Sequence, residues 1–212
     1  MKNNNFLIII LIILVLVAGG YWFFGRDNGV VRGIPGTPDP VQKKAEGNAQ
    51  KEIGGYTMDI QFLYSYDVDA LVVSAEDYND GSLNGMLAPK DVALAWGKVA
   101  EYNDRIDFNW EQRNRWYYWH VDNSAVLGPV GGVDGVSTHS ANTHLIPAND
   151  GIGDKIMEIK KGDHIKLQGY LVNVDGSKPD GSSFYWDSST TRDDTGDGAC
   201  EVMYVEKIEW LN

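Results

Sequence analysis

HIKLQGYLVNV, residues 164–174, is the stretch on which the reading of the fold turns. Ile165, Leu167, Gly169 and Leu171 share one face, and Lys166, Gln168 and Tyr170 share the other. That period of two is the signature of a strand with one side in a core. The stretch runs into two turn-forming pairs, Asp175-Gly176 and Asp180-Gly181, after which residues 183–188 return as a second strand. Residues 201–210 close the domain with another. Upstream, residues 56–66 alternate and are rich in aromatic and branched side chains, and 70–75 (ALVVSA) is a compact apolar run. Residues 106–110 and 115–121 read as a further strand pair, turning near Gln112-Arg113-Asn114. Two short helices fit between strands. Pro89 opens DVALAWGKVAEY, where Val92, Leu94, Ala95, Trp96 and Val99 can form a buried side. Residues 154–161 place Ile156 and Ile159 inward and stop at Gly162. Many short strands, Gly-rich turns and two small helices predict a mainly β (α+β) domain, a closed or partly closed β-barrel.

The N-terminal part of the 212-residue chain reads differently. Residues 6–24, FLIIILIILVLVAGGYWFF, carry no charged side chain. As a helix they would span roughly 28 Å, close to the ~30 Å hydrocarbon core of a bilayer. The run is longer than the apolar region of a cleaved signal peptide, and it ends in the interfacial aromatics Tyr21-Trp22-Phe23-Phe24. The expectation is a transmembrane anchor preceded by a cytoplasmic stub at residues 1–5. Lys2 and the amino terminus lie on one flank, whereas Arg26 is followed at once by Asp27 on the other. This charge bias puts the C-terminal domain outside the cytoplasm, in the periplasm or at the cell surface. Residues 25–55, with Pro35, Pro38, Pro40 and frequent glycine, read as a flexible linker, leaving 56–212 as the extracytoplasmic domain.

Formal net charge is −12, and residues 1–26 hold two bases and no acid, so the acidity belongs to the remainder. Such a domain repels phosphate backbones and anionic headgroups, which argues against nucleic acid as a partner. Cys200 is the sole cysteine, so no intrachain disulfide can form.

Three groups of residues could carry chemistry. His139 and His144 fall in STHSANTHLIP, a polar stretch read as a loop. Their spacing of five is not a helical ligand pair and no CxxC or HExxH is present, so no metal or cofactor is expected. The Asp/Gly-rich run at 193–198 departs from a calcium loop at its third position, Thr195, and its twelfth, Tyr204, and reads as a turn. Cys200 follows that run. As a thiolate nucleophile it would need His139 or His144 as proton carrier, with Arg192 available to orient an anionic group. The third group is aromatic: Trp110 and Trp116-Tyr117-Tyr118-Trp119. Strand alternation places Trp116 and Tyr118 on one face. Trp116, Tyr118, Asn142 and Trp186 are the candidate ligand contacts.

The anchor, the chain length and the order of histidine, then IKKGDHIKL, then Cys200 resemble sortases, the membrane-anchored β-barrel transpeptidases. That resemblance implies a Cys/His transpeptidase or hydrolase using Cys200 with His139 or His144. Two features differ. Cys200 follows Thr195-Gly196-Asp197-Gly198-Ala199 rather than a TLxT-like strand, and no arginine lies beyond it, leaving Arg192 on the preceding side. KKGDHIKLQGYLVNVDG is similar to the strand openings of oligonucleotide/oligosaccharide-binding (OB) barrels. NTHLIPA, GDHIKLQGYLV and SSTTRDDTGDGACEV together resemble an uncharacterised family of bacterial membrane-anchored β-rich proteins, a kinship that implies no particular activity. The expectation that leads is a non-catalytic module of the cell envelope that binds a protein or a cell-wall glycan or peptide; the alternative is the Cys/His enzyme.

Overall fold

The computed structural model describes residues 31–192 and 199–211, all within one compact unit, Val31–Asn212. The expected anchor at 6–24, its stub, the first residues of the expected linker and the Asp/Gly run at 193–198 lie outside the described residues. Among the described residues no helix is long and apolar enough to cross a membrane.

The protein is mainly β. Ten strands are described: β1 Val41–Lys44, β2 Asn48–Ile53, β3 Tyr56–Asp77, β4 Lys90–Ala95, β5 Glu111–Arg113, β6 Trp116–Tyr118, β7 Ser140–Pro147, β8 His164–Ser177, β9 Ser183–Asp187 and β10 Glu201–Trp210. Four α-helices lie between them: α1 Leu83–Leu87, α2 Gly97–Glu101, α3 Gly132–Thr138 and α4 Asp150–Glu158, with a 3₁₀ helix at Ser124–Val130. Five strands hydrogen-bond in a closed ring, β3-β4-β7-β10-β8 and back to β3. Every pairing in the ring is antiparallel except β7 with β10, which run parallel. β1 and β2 add to β3, β9 adds to β8, and β5 with β6 forms a separate hairpin.

The alternation read from residues 164–174 holds. Ile165, Leu167 and Leu171 enter one buried cluster with Tyr66, Val68, Val72, Val92, Leu94, Leu145, Met203 and Val205, so all five ring strands contribute. Ile152 and Ile156 of α4, with Ile159 just beyond it, join the same cluster. At about 2–3 kcal/mol for each large aliphatic side chain removed from water, this shared interior is the main source of stability. The opposite faces of the strands are covered too. Ala93 and Ala95 of β4 pack with Phe108, Leu127 and Val130, while Ile146, Val202 and Tyr204 pack with Met58, Ile60 and Leu87.

Burial on both faces explains where the sequence reading went astray. Residues 90–95, expected as the first half of a helix, form strand β4, buried at every position. A short apolar run buried on both sides has no period to distinguish the two states. Gly97, at φ +58, turns the chain out of that strand as the first residue of α2. The segment expected as linker contains β1 and β2, paired along β3, so the sheet begins well before residue 56. The second helix starts earlier than expected, because Asn149 caps it by accepting from the Ile152 N–H at 3.1 Å. Its C-terminal end is held by buried Lys90, whose Nζ donates to the carbonyls of Met157 (3.0 Å) and Ile159 (2.7 Å) and pairs with Asp77. The expected strand pair at 106–121 is a shorter hairpin, turning at Asn114-Arg115, both with positive φ.

Gly169 is where β8 crosses closest to β10. A Cβ there would lie 2.0 Å from the carbonyl oxygen of Tyr204. Gly169→Ala should therefore cost at least about 1–3 kcal/mol. Gly128→Ala, where a Cβ meets nothing within 4 Å, should stay within about 0.5 kcal/mol of the parent. Urea unfolding of the two variants checks the contrast.

Candidate active site

Asp91 on β4 and His144 on β7 are register partners across an antiparallel pair, and His144 is the register partner of Val202 on β10. Alternation puts Asn142, His144 and Val202 on the outer face of the ring, with Cys200 two residues before Val202 on the same side. Three adjacent ring strands thus deliver Asp91, His144 and Cys200 to one place. The backbone around Cys200 is fixed from β9's exit: the Ser189 N–H donates to the Cys200 carbonyl, and the Val202 N–H donates to Ser188 Oγ, each at 2.9 Å.

Asp91 has no solvent exposure, and the His144 side chain is 4% exposed. His144 Nδ1 lies 2.9 Å from Asp91 Oδ1. The approach is off the hydrogen-bond line, so neither Nδ1 nor the second carboxylate oxygen Oδ2 has an aligned partner. The imidazole and Cys200 line the same cleft. Burial alone would lower the His144 pKa, but the Asp91 carboxylate and the Cys200 sulfur outweigh it and hold the group above its ordinary value. Asn142 Nδ2 approaches Cys200 Sγ at 3.5 Å and donates to the Arg115 carbonyl at 2.9 Å. Asn142 Oδ1 accepts from Gln112 Nε2 at 2.7 Å. The β5–β6 hairpin is thereby fastened over the site.

Arg115 comes from the tip of that hairpin. Its Nη1 donates to Asp91 Oδ1 at 2.7 Å and to the Ala88 carbonyl at 2.9 Å. Its guanidinium lies 3.7 Å from the Tyr78 ring centroid and 5.6 Å from that of Trp186. Trp186 also covers His144, ring to ring at 4.8 Å. Cys200 and Trp116 are shared by two clefts. One, of about 300 Å³, is lined by Tyr117, Tyr118, Trp119, Ser140 and Arg192. The other, of about 490 Å³, is lined by Asp80, Arg115, His144, Tyr185, Trp186 and Asp187.

The sequence candidates divide accordingly. Cys200, His144, Asn142, Trp116 and Trp186 come together, and Tyr118 lines the smaller cleft. His144 is not on a loop but inside a buried strand. His139 ends α3, where its Nδ1 lies 2.9 Å from the Gly135 carbonyl and 3.0 Å from Thr138 Oγ1, and it lines neither cleft. Arg192 pairs with Glu201 and with the Tyr66 hydroxyl. Burial pushes the Tyr66 phenol up to about 12 despite that cation, so it stays neutral. Arg192 is thus committed to its own ion pair at the ring. Asp91 and Arg115 were not foreseen. Asp91 sat inside the presumed helix, and its only signal was a lone acid in the apolar run 90–95. Among the described residues no group of three or more His, Cys, Asp or Glu side chains converges as a metal site.

No protein-family model matches the chain, and no curated protein or solved structure does either. What the site can do therefore rests on its geometry.

The raised His144 pKa has a signed consequence. Its stabilising contribution is fully present below the unfolded histidine pKa of about 6.5 and is lost as pH rises through the higher folded value. The difference in Tm between the wild type and His144→Gln should be largest below that pH and shrink above it. A gap constant across pH 5–9 would contradict the coupling.

Proposed function

We propose that the described unit is an OB-like barrel whose ligand face carries a cysteine-dependent acyl-transfer site, with Cys200 as nucleophile, His144 as proton carrier and Asp91 as the carboxylate that favours the protonated form of His144. The observation that carries this reading is the convergence of these three side chains from adjacent ring strands, with His144 held toward its protonated form between a carboxylate and a thiol. Numbering the ring strands by chain order gives 1-2-3-5-4-1, with 3 and 5 parallel and a helix between 3 and 4. That connectivity supports the barrel assignment. OB barrels bind ligands on the face of strands 2 and 3, between the loops joining strands 1 to 2 and 4 to 5. Here those positions are β4, β7, the Asp80 loop and the segment carrying Trp186, which are the surroundings of Cys200.

The chemistry is a two-step displacement. The Cys200 thiolate adds to an acyl carbonyl, forming the C–S bond as the C=O π pair moves onto oxygen. The pair returns, the bond to the leaving group breaks, and His144 gives that group its proton. A thioester remains on Cys200. Water, or an amine, then adds to the thioester while His144 removes its proton. The C–S bond breaks, and the acid or new amide leaves with the thiolate restored. A hydrolase and a transpeptidase differ only in the second acceptor. The acidity of the chain argues against nucleic acid as substrate. Residues 6–24 would tether this unit to the membrane, placing it outside the cytoplasm and within reach of cell-envelope peptides.

A non-catalytic recognition module is the second reading, favoured by Tyr185, which is 71% exposed beside Trp186 at the cleft. p-Nitrophenyl acetate separates the two. The enzyme reading expects a burst of nitrophenolate approaching one per chain, with an acetyl group on Cys200 by mass spectrometry, and loss of both in Cys200→Ala. No burst and no adduct from folded protein would leave the recognition module.

A further inference from the structure

Arg115 occupies a position that its backbone disfavours. At φ +70, following Asn114 at φ +53, it stands where a two-residue hairpin turn ordinarily places glycine. Such strain persists only where the surroundings over-determine it, and it gathers at functional sites. The backbone groups of Arg115 and its Nη1 are engaged. Its N–H donates to Tyr78 Oη at 2.7 Å, its carbonyl accepts from Asn142 Nδ2, and its Nη1 serves Ala88 and Asp91. Its Nη2 is buried and without a hydrogen-bond partner. A charged donor left this way is costly, and an arriving oxygen atom removes the cost. The residue lines the larger cleft with His144, Trp186 and Cys200, and its own carbonyl oxygen is 4.0 Å from Cys200 Sγ. Trp186, on edge strand β9, is the cover over both Arg115 and His144.

We infer that Arg115 is the residue that binds the acyl oxygen of the substrate, with Nη2 as the donor that receives the oxyanion formed when Cys200 attacks. This rests on the acyl-transfer reading and deepens it: the acyl group enters under Trp186, in the larger cleft, and the leaving group faces the aromatic cleft of Tyr118 and Trp119. The charges around the site favour a neutral carbonyl over a substrate carboxylate. Asp91 faces Arg115 and His144 from β4, and Asp80 and Asp187 stand at the rim, so a further carboxylate would meet three acids. A carbonyl brings no charge until attack, and the charge it then gains is the one the thiolate gives up. Arg192, tied to Glu201 and Tyr66, is not needed for this role.

The test uses two electrophiles on one nucleophile. Iodoacetamide alkylates a thiolate by direct displacement and forms no oxyanion, whereas p-nitrophenyl acetate forms one. Arg115→Lys keeps a cation beside Asp91 and removes Nη2. In that variant the acylation burst should slow about a hundredfold while alkylation changes less than about threefold. A parallel fall in both rates would make Arg115 a positioning residue only, and unchanged acylation would remove it from the reaction; either overturns the inference. If the wild type shows no burst, the acyl-transfer reading itself fails. Should Arg115→Lys not fold, the wild-type protein still decides. The thionoester analogue, a poorer acceptor, should thioacylate Cys200, leaving a dithioester, at least about tenfold more slowly than the oxoester acylates it, and equal rates would overturn the assignment.

Discussion

The Asp91 side chain has no access to water, and the structure around it sets two basic groups against its carboxyl. Burying an uncompensated carboxylate costs several kcal/mol, more than a domain of this size can readily spare. Compensation comes from Arg115 on one side and His144 on the other, both on Oδ1. Arg115 can arrive only if the β5–β6 hairpin folds back over the outer face of β4 and β7. Asn142 and Gln112 fasten it there, and Tyr78 takes the Arg115 N–H. The same carboxylate favours the protonated form of His144, and His144 lines one cleft with Cys200. One buried charge therefore links the placement of a hairpin to the protonation of a histidine and the setting of a thiol.

The ring makes this possible because its strands are covered on both faces. β4 and β7 send Val92, Leu94 and Leu145 inward and Asp91, Asn142 and His144 outward into a second, drier environment than an exposed sheet face would offer. A histidine on an open sheet would be wetted and screened. Beneath Trp186 it is neither, and the nearby charges act at low effective dielectric. The parallel pairing of β7 with β10 matters equally. It sets Cys200 beside Asn142 and two residues from the partner of His144, a proximity that no sequence separation of 56 residues announces.

Much of the fold was legible where one face alone is buried. The alternation at 165–171 identified β8, and Glu201–Trp210 was bounded correctly because turn-forming residues precede it. β4 was misread because a strand buried on both faces has no alternation, and its Asp91 looked like the polar side of a helix. β1 and β2 were missed because their pairing with β3 lends them an order that their Pro- and Gly-rich surroundings do not advertise. At the site, Cys200 and His144 stood out by residue type alone. Asp91 and Arg115 did not, since their roles come from pairing across strands and from a hairpin tip 24 residues away in sequence. His139 and Arg192 looked equally suitable by residue type; the fold leaves His139 outside both clefts and ties Arg192 to Glu201 and Tyr66.

The central claim is that His144, charged by Asp91, acts on Cys200, and the rate of Cys200 alkylation in the folded protein tests it most directly. With iodoacetamide at pH 6.5, the wild type should label at least about tenfold faster than His144→Ala. Equal rates in the two proteins, or labelling that appears only on unfolding, would contradict the account.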